Sequence, residues 1–351
     1  MAEITVQDQG DAGRPDTCEA RSMDLAVGGQ ALIEGVMMRS PSYLAMAVRT
    51  PDGRIVIRKK IFNSIVRRLK FLNIPVLRGG VHLIETMGLG IDALMFSADQ
   101  AISEDRVEGK KASFKETLMM WGTVAFSFAL SLALFFYLPI YLTDLVVAES
   151  EGSLVWNMVD GLIRVLMFVL YLFAVSRFPD MARVFEYHGA EHKSIHVYEA
   201  GEELTVANAA KYPTFHPRCG TSFLVFVILI SIGFFAAAFP VLQTYLIPET
   251  LTGWKLNLLQ ASIKVPMMVP IAGISFEFIK WAGRKKNEGA SGPFFDLLVV
   301  PGRMMQKLTT IEPDDKQLEV ALVSLRRALE HEGALQDPDW SGVTFLAAEG
   351  A

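Results

Sequence analysis

Three histidines recur at every fourth position in the run Phe185-Glu-Tyr-His-Gly-Ala-Glu-His-Lys-Ser-Ile-His-Val-Tyr-Glu199. On a helix, His188, His192 and His196 stack along one face with Ile195 and Glu199 beside them. Two imidazoles one turn apart can close on one metal ion. The five residues His188-Gly-Ala-Glu191-His192 also carry the H-x-x-E-H order, in which two histidines hold zinc and the glutamate between them serves as general base. Further on, Tyr212-Pro-Thr-Phe-His216-Pro-Arg218-Cys219-Gly places a histidine and a cysteine at H-x-x-C spacing. Its two prolines and its glycine exclude long regular structure, so the stretch reads as a tight turn presenting two ligands. Four of the six histidines, and the one cysteine outside the N-terminal tail, thus fall between 188 and 219.

This donor set has the softness of a divalent metal site, with zinc first and iron or manganese behind it. If His188, His192, His216 and Cys219 all bind, the site is closed and structural. If three bind, a place stays open for water, and Glu191 can accept that water's proton for attack on a carbonyl or phosphoryl centre. Glu277 is the alternative fourth ligand, and His196 can instead support the ligands from behind. Lys193 and Arg218 could stabilise negative charge developing on a substrate, or meet lipid phosphates. The competing reading of the same residues is a buried polar network bridging helices.

The elements that must position them belong to a membrane protein. Of the 351 residues, 51% are hydrophobic, and the mean hydropathy is +0.32. The net charge of -5 is small and the basic residues form no tract with interleaved aromatics, which argues against nucleic acid as a partner. Cys18 and Cys219 make no disulfide framework, and a reducing compartment is expected for Cys219. Residues 1 to 24 have no apolar core behind a basic start, so no cleavable signal peptide is expected and the tail reads as disordered.

Four spans are expected. Leu118 to Leu142 has twenty-five residues without a charge, and the acidic loop after it, with Asp144, Glu149 and Glu151, belongs outside. Leu154 to Ser176 returns, with Asp160 and Arg164 one turn apart and read as self-paired. Thr221 to Ile247 is the third span. The fourth begins near Leu256 and is kinked at Pro266 and Pro270. Leu77 to Ser103 is apolar but carries Arg78, Glu85, Asp92 and Asp99 at intervals of seven, with His82 one turn away. Basic flanks on both sides make it an interfacial or re-entrant element with a solvated polar stripe.

Before the spans, Tyr43 to Arg49 and Arg54 to Lys60 alternate around Thr50-Pro-Asp-Gly53, a strong hairpin signal. In the glycine-rich segment 28 to 41, Glu34 and Arg39 read as an internal ion pair. After the spans, Leu318, Leu322, Leu325 and Leu329 mark an amphipathic helix behind Glu312-Pro-Asp-Asp315, expected to pack on the cytoplasmic part.

The runs Gly28-Gly-Gln-Ala-Leu-Ile-Glu34-Gly-Val-Met-Met-Arg39, His188-Gly-Ala-Glu191-His192-Lys193, His216-Pro-Arg-Cys219-Gly-Thr-Ser-Phe223, Gly273-Ile-Ser-Phe-Glu277 and Leu308-Thr-Thr-Ile-Glu-Pro-Asp-Asp315 resemble, in the same order, those of the YqhQ-like bacterial membrane proteins. The resemblance spans about residues 25 to 335. It implies a membrane protein described as a predicted metal-dependent enzyme, and it names no substrate.

The expected fold class is an α-helical integral membrane protein with about four transmembrane helices and a small N-terminal cytoplasmic α+β part. Its divisions are the tail 1–24, the hairpin and interfacial helix 25–117, the membrane domain 118–281 with its His/Cys loop 178–220, and the C-terminal segment 282–351. Both termini face the cytoplasm at the inner membrane, with membrane lipids as partners. The leading functional expectation is metal-assisted hydrolysis at the cytoplasmic face on a lipid-linked, peptide or phosphate-bearing substrate. A non-catalytic scaffold is the rival. A transporter comes third, resting on Asp160, Arg164 and the broken fourth helix.

Overall fold

The computed structural model describes residues 27–101, 114–147, 154–216, 219–248, 251, 254–287, 293–330, 332 and 343–345. The expected disordered tail lies outside these residues.

The N-terminal stretch folds as a four-strand antiparallel meander: β1 (Gly28–Leu32), β2 (Gly35–Arg39), β3 (Tyr43–Arg49) and β4 (Ile55–Ile61). A short β5 (Val343–Phe345) from the far end of the chain adds in parallel to the β4 edge. The hairpin read from residues 43–60 is β3–β4. Its turn is closed by bonds between Thr50 and both Gly53 and Arg54, with Gly53 at φ +87°. The β1–β2 hairpin went unread. Its turn puts Glu34 at φ +52°, a costly conformation for a residue with a side chain.

Both faces of this sheet are buried, which explains why β2 and β3 read as near-continuous apolar runs. Val36, Met38, Ala45, Ala47, Ile55 and Ile57 meet two helices, α6 (Pro179–Glu199) and α11 (Asp315–Glu330). The alternate residues Leu32, Met37, Leu44, Met46, Val48 and Val56 meet Ala93 and Phe96 of α2 (Leu77–Ala101). The expected leucine stripe of α11 is fully used, since Leu318, Leu322, Leu325 and Leu329 are all buried. Each contributes about 1.5–3 kcal/mol of burial. The helix begins in a reciprocal cap: Asp314 Oδ1 accepts the Gln317 N–H at 2.7 Å, and Gln317 Oε1 accepts the Asp314 N–H at 2.8 Å.

Among the described residues, four helical stretches are long and apolar enough to cross a membrane by length and composition: α2; Trp121–Val146; α5 (Leu154–Val175); and Leu258–Phe278. The second comprises most of α3 (Phe114–Leu132) and all of α4 (Leu138–Val146), joined by a π-turn at Ala133–Tyr137. The last lies in α9 (Trp254–Asn287), which runs on through Pro266 and Pro270. Between them α8 (Gly220–Leu246) is apolar over Phe226–Phe239. The lesser helices are α1 (Ile65–Arg68), α7 (Val206–Ala210) and α10 (Pro293–Thr309).

α2 is one continuous helix. Its N-terminal end crosses α9 where two glycines meet: a Cβ on Gly79 would lie 2.7 Å from Gly273 Cα. Its C-terminal half covers the sheet. The polar stripe expected to be solvated is instead consumed by partners. Arg78 grips Glu277 at 2.5 Å, Glu85 accepts from Ser64 Oγ and the Ile65 N–H, and Asp92 meets Lys60 at 2.9 Å and Arg58 at 3.5 Å. A polar line on an apolar helix faces water only when no complementary surface covers it, and here α9, the start of α1 and basic β4 each meet one part of it.

Candidate functional site

The row of rings is built from three stretches. Helix α6 starts with Pro179 at its first turn and stops at Gly201, whose φ of +69° terminates the spiral. Its phase puts His188, His192 and His196 on one side, as their spacing requires. Residues 212–216 and Cys219 lie over that side, and the end of α10 closes the third. Centroids are 4.4 Å apart for His188–His192, 5.6 Å for His192–His216 and 4.7 Å for His196–His216. Gly189 is required by this arrangement. The Ile311 N–H bonds to Phe185 O at 3.0 Å, and a Cβ at Gly189 would collide with the Ile311 carbonyl oxygen.

Each helix histidine spends one ring nitrogen on a backbone carbonyl. His188 Nδ1 donates to Thr309 O at 2.7 Å, His192 Nδ1 to Thr214 O at 2.5 Å, and His196 Nε2 to Phe215 O at 2.7 Å. A carbonyl only accepts, so each of these nitrogens carries the proton, and in the neutral ring the other nitrogen carries the lone pair. Such an outer bond orients the ring and fixes the tautomer of a metal-binding histidine. On the inner side His188 Nε2 sits 3.2 Å from Cys219 Sγ. His192 Nε2 is buried with no hydrogen-bond partner among the described residues. Burial keeps these rings neutral: His188 is pushed below the usual range, His216 down to about 4, and His192, with the other rings adding to the effect, down to about 2.

The donors fall into two sets. Ligand atoms of His188, His192 and Cys219 all lie within 4.8 Å of one another, and those of His196, Glu199 and His216 do the same. His216 Nε2 is 3.3 Å from Glu199 Oε1. Gln306 of α10 clamps the backbone of His216, accepting its N–H and donating to its carbonyl, both at 2.9 Å. Glu199 and Gln306 were not among the expected site residues. The signal for Glu199 was its place one turn beyond His196; for Gln306 it was only the nearness of the Leu308-Thr-Thr motif.

The other expected residues stand elsewhere. Glu277 is held by Arg78 and not by the histidines. Glu191 lies on the sheet-facing side of α6, where its carboxyl accepts the Gly29 N–H, and burial pushes it up to about 8. Lys193 is buried with its Nζ on Ala210 O at 3.1 Å and on Glu312. Arg218 lies outside the described residues. Glu34 pairs with Arg183 of α6 at 2.5 Å, and Arg39 stacks 3.8 Å over the Phe62 ring, so the glycine-rich segment docks onto α6 through an ion pair with Arg183.

The family model described as "Protein of unknown function (DUF1385)" matches residues 74–331. A relative in Bacillus subtilis (strain 168), "Uncharacterized protein YqhQ", is 31% identical over 318 residues, covering 88% of this chain and 93% of its own length. No solved structure matches.

Proposed function

This chain belongs to the DUF1385 family, and from that premise we propose that it is an inner-membrane protein holding a divalent metal ion, zinc first, for metal-assisted hydrolysis at the cytoplasmic face. The observation carrying the reading is His192 Nε2, a buried nitrogen without a hydrogen-bond partner among the described residues and flanked by the His188 ring and the Cys219 thiol. A buried acceptor without a donor costs about 1–3 kcal/mol, and a cation removes that cost. Two imidazoles and a thiol suit zinc, and three protein donors leave a coordination place for a substrate or water. When bound, the ion supplies Lewis acidity.

The chain's own groups divide the remaining work. Thr309 and Thr214 carbonyls hold His188 and His192 with their lone pairs inward. Glu191 is turned to Gly29, so the general-base role does not fall to it, and Lys193 is occupied by Glu312. Glu199, with 32% of its side chain exposed, is the carboxylate beside the row that can exchange protons with water. The membrane reading is supported by the apolar stretches Trp121–Val146, α5 and Leu258–Phe278. Basic residues Lys280, Arg284, Lys285 and Lys286 after the last favour a cytoplasmic C-terminus.

The scaffold reading keeps one observation, the burial of His192 and His216, since closed structural sites are buried too. The deciding experiment uses full-length protein in detergent, loaded with zinc and assayed against chromogenic phosphate and ester substrates beside Cys219→Ser. Bound zinc with turnover, both lost in Cys219→Ser, is expected. Stoichiometric zinc without turnover on any substrate favours the scaffold. A protein that binds no zinc sinks the metal-dependent reading and leaves the scaffold as a buried polar network.

A further inference from the structure

The expected four-ligand set does not gather as one group. His216 was paired by sequence with Cys219, three residues away, yet its imidazole lies nearer His196 than His192, 4.7 Å against 5.6 Å between centroids. Its Nε2 points at Glu199, a residue of the helix's last turn. The result is a second group of three donors, two imidazoles and one carboxylate, beside the first.

We propose that the histidine row is a two-cation centre, with one ion on His188, His192 and Cys219 and a second on His196, Glu199 and His216. This rests on the reading that the first set holds an ion. Each set contributes one anionic donor, thiolate or carboxylate, which offsets half the charge of a divalent ion and lets two cations stand close. Their chemistry differs. The thiolate set is soft and selects zinc-like ions, whereas two histidines and a carboxylate suit iron, manganese or zinc.

Second-set orientation is built in. His196 Nε2 donates to Phe215 O and its ring stacks on Tyr212, 5.7 Å away at 10° between planes, so it cannot rotate without losing both. His216 is fixed through its backbone by Gln306 and is 2% exposed. Glu199 is exposed and His196 partly so, while His216 is buried, so the second set has an open side. Two ions on adjacent donor sets would present a phosphate or carboxylate with two points of attachment, the arrangement of two-metal hydrolases.

Cobalt(II) titration of the metal-stripped, full-length protein in detergent tests this, because thiolate ligation gives a charge-transfer band that nitrogen and oxygen ligation lacks. The expected result is about two equivalents bound per chain, with the thiolate band saturating after one of them. Glu199→Gln should bind about one equivalent and keep the band. Cys219→Ser should lose the band and still bind at the second set. Wild-type protein that binds a single equivalent with the full thiolate band overturns the second site and leaves the first intact. No thiolate band in the wild type overturns the first-site reading and this one with it. Wild-type stoichiometry alone decides the matter if Glu199→Gln does not fold.

Discussion

Two buried polar regions of this protein resolve their cost in opposite ways. In α5, Asp160 Oδ2 accepts from Arg164 Nε at 2.9 Å, one helical turn along, and Arg164 Nη1 reaches Phe135 O at 2.8 Å. Nearby, Lys264 of α9 lies among the rings of Trp156, Phe235 and Phe239, 4.4–5.8 Å from their centroids. Charge there is cancelled by a neighbour on the same helix or spread over aromatic faces. The row formed by His188, His192 and His196 is instead oriented from outside. Backbone carbonyls from Thr214, Phe215 and Thr309 take its protons, and its lone pairs turn inward toward one another. A local opposite-charge pair consumes its own polarity, whereas neutral rings oriented from outside gather acceptor nitrogens on their inner side.

That contrast can be broken from either side. The largest expected effect is from Asp160→Ala, which leaves Arg164 without its carboxylate and costs about 3 kcal/mol in reversible unfolding in mixed micelles. Metal content should not change, and a parallel loss of metal would mean the two regions are coupled. Gln306→Ala comes next. It removes both bonds to the His216 backbone, costs about 1–3 kcal/mol, and weakens the second equivalent of metal about tenfold while sparing the first. Equal weakening of both equivalents would show that His216 serves one shared centre.

The smallest effect belongs to Glu191→Gln, which should keep the metal and change stability by less than about 1 kcal/mol at pH 6. Its diagnostic is a slope. The folded carboxyl, raised to about 8 from 4.5 by burial, holds a proton that the unfolded chain gives up between those values. Stability is therefore lost as pH rises through that window, and the glutamine variant should flatten the curve. An unchanged slope would remove Glu191 as its source.

Much of the fold was legible because its signals are local. The β3–β4 hairpin follows from the Pro-Asp-Gly turn between two strand-forming runs, the stop of α6 from Gly201, and the buried face of α11 from its leucine spacing. The β1–β2 hairpin was not legible: Gly28, Gly29 and Gly35 dilute its strand signal, and its turn rests on Glu34 at positive φ, held by Arg183 from another element. Helix α10 carries Pro301 in its interior, a residue that ordinarily argues against a helix. The polar stripe of α2 was visible and its surroundings were not, since Arg58 and Lys60 come from a strand some thirty residues earlier.

By itself the sequence determined the long apolar helices, the phase that aligns His188, His192 and His196, and the tight turn that carries His216 and Cys219. These depend on helical period, length and backbone restriction, all properties of a few adjacent residues. Only the tertiary structure decided which donors meet. It set His216 beside His196 and Glu199, drew Glu277 to Arg78 where Gly79 meets Gly273, and turned Glu191 onto Gly29 because the sheet packs on that flank of α6. The reason is physical: a residue's direction on its helix is fixed locally, but what stands in that direction is fixed by packing between segments far apart in the chain.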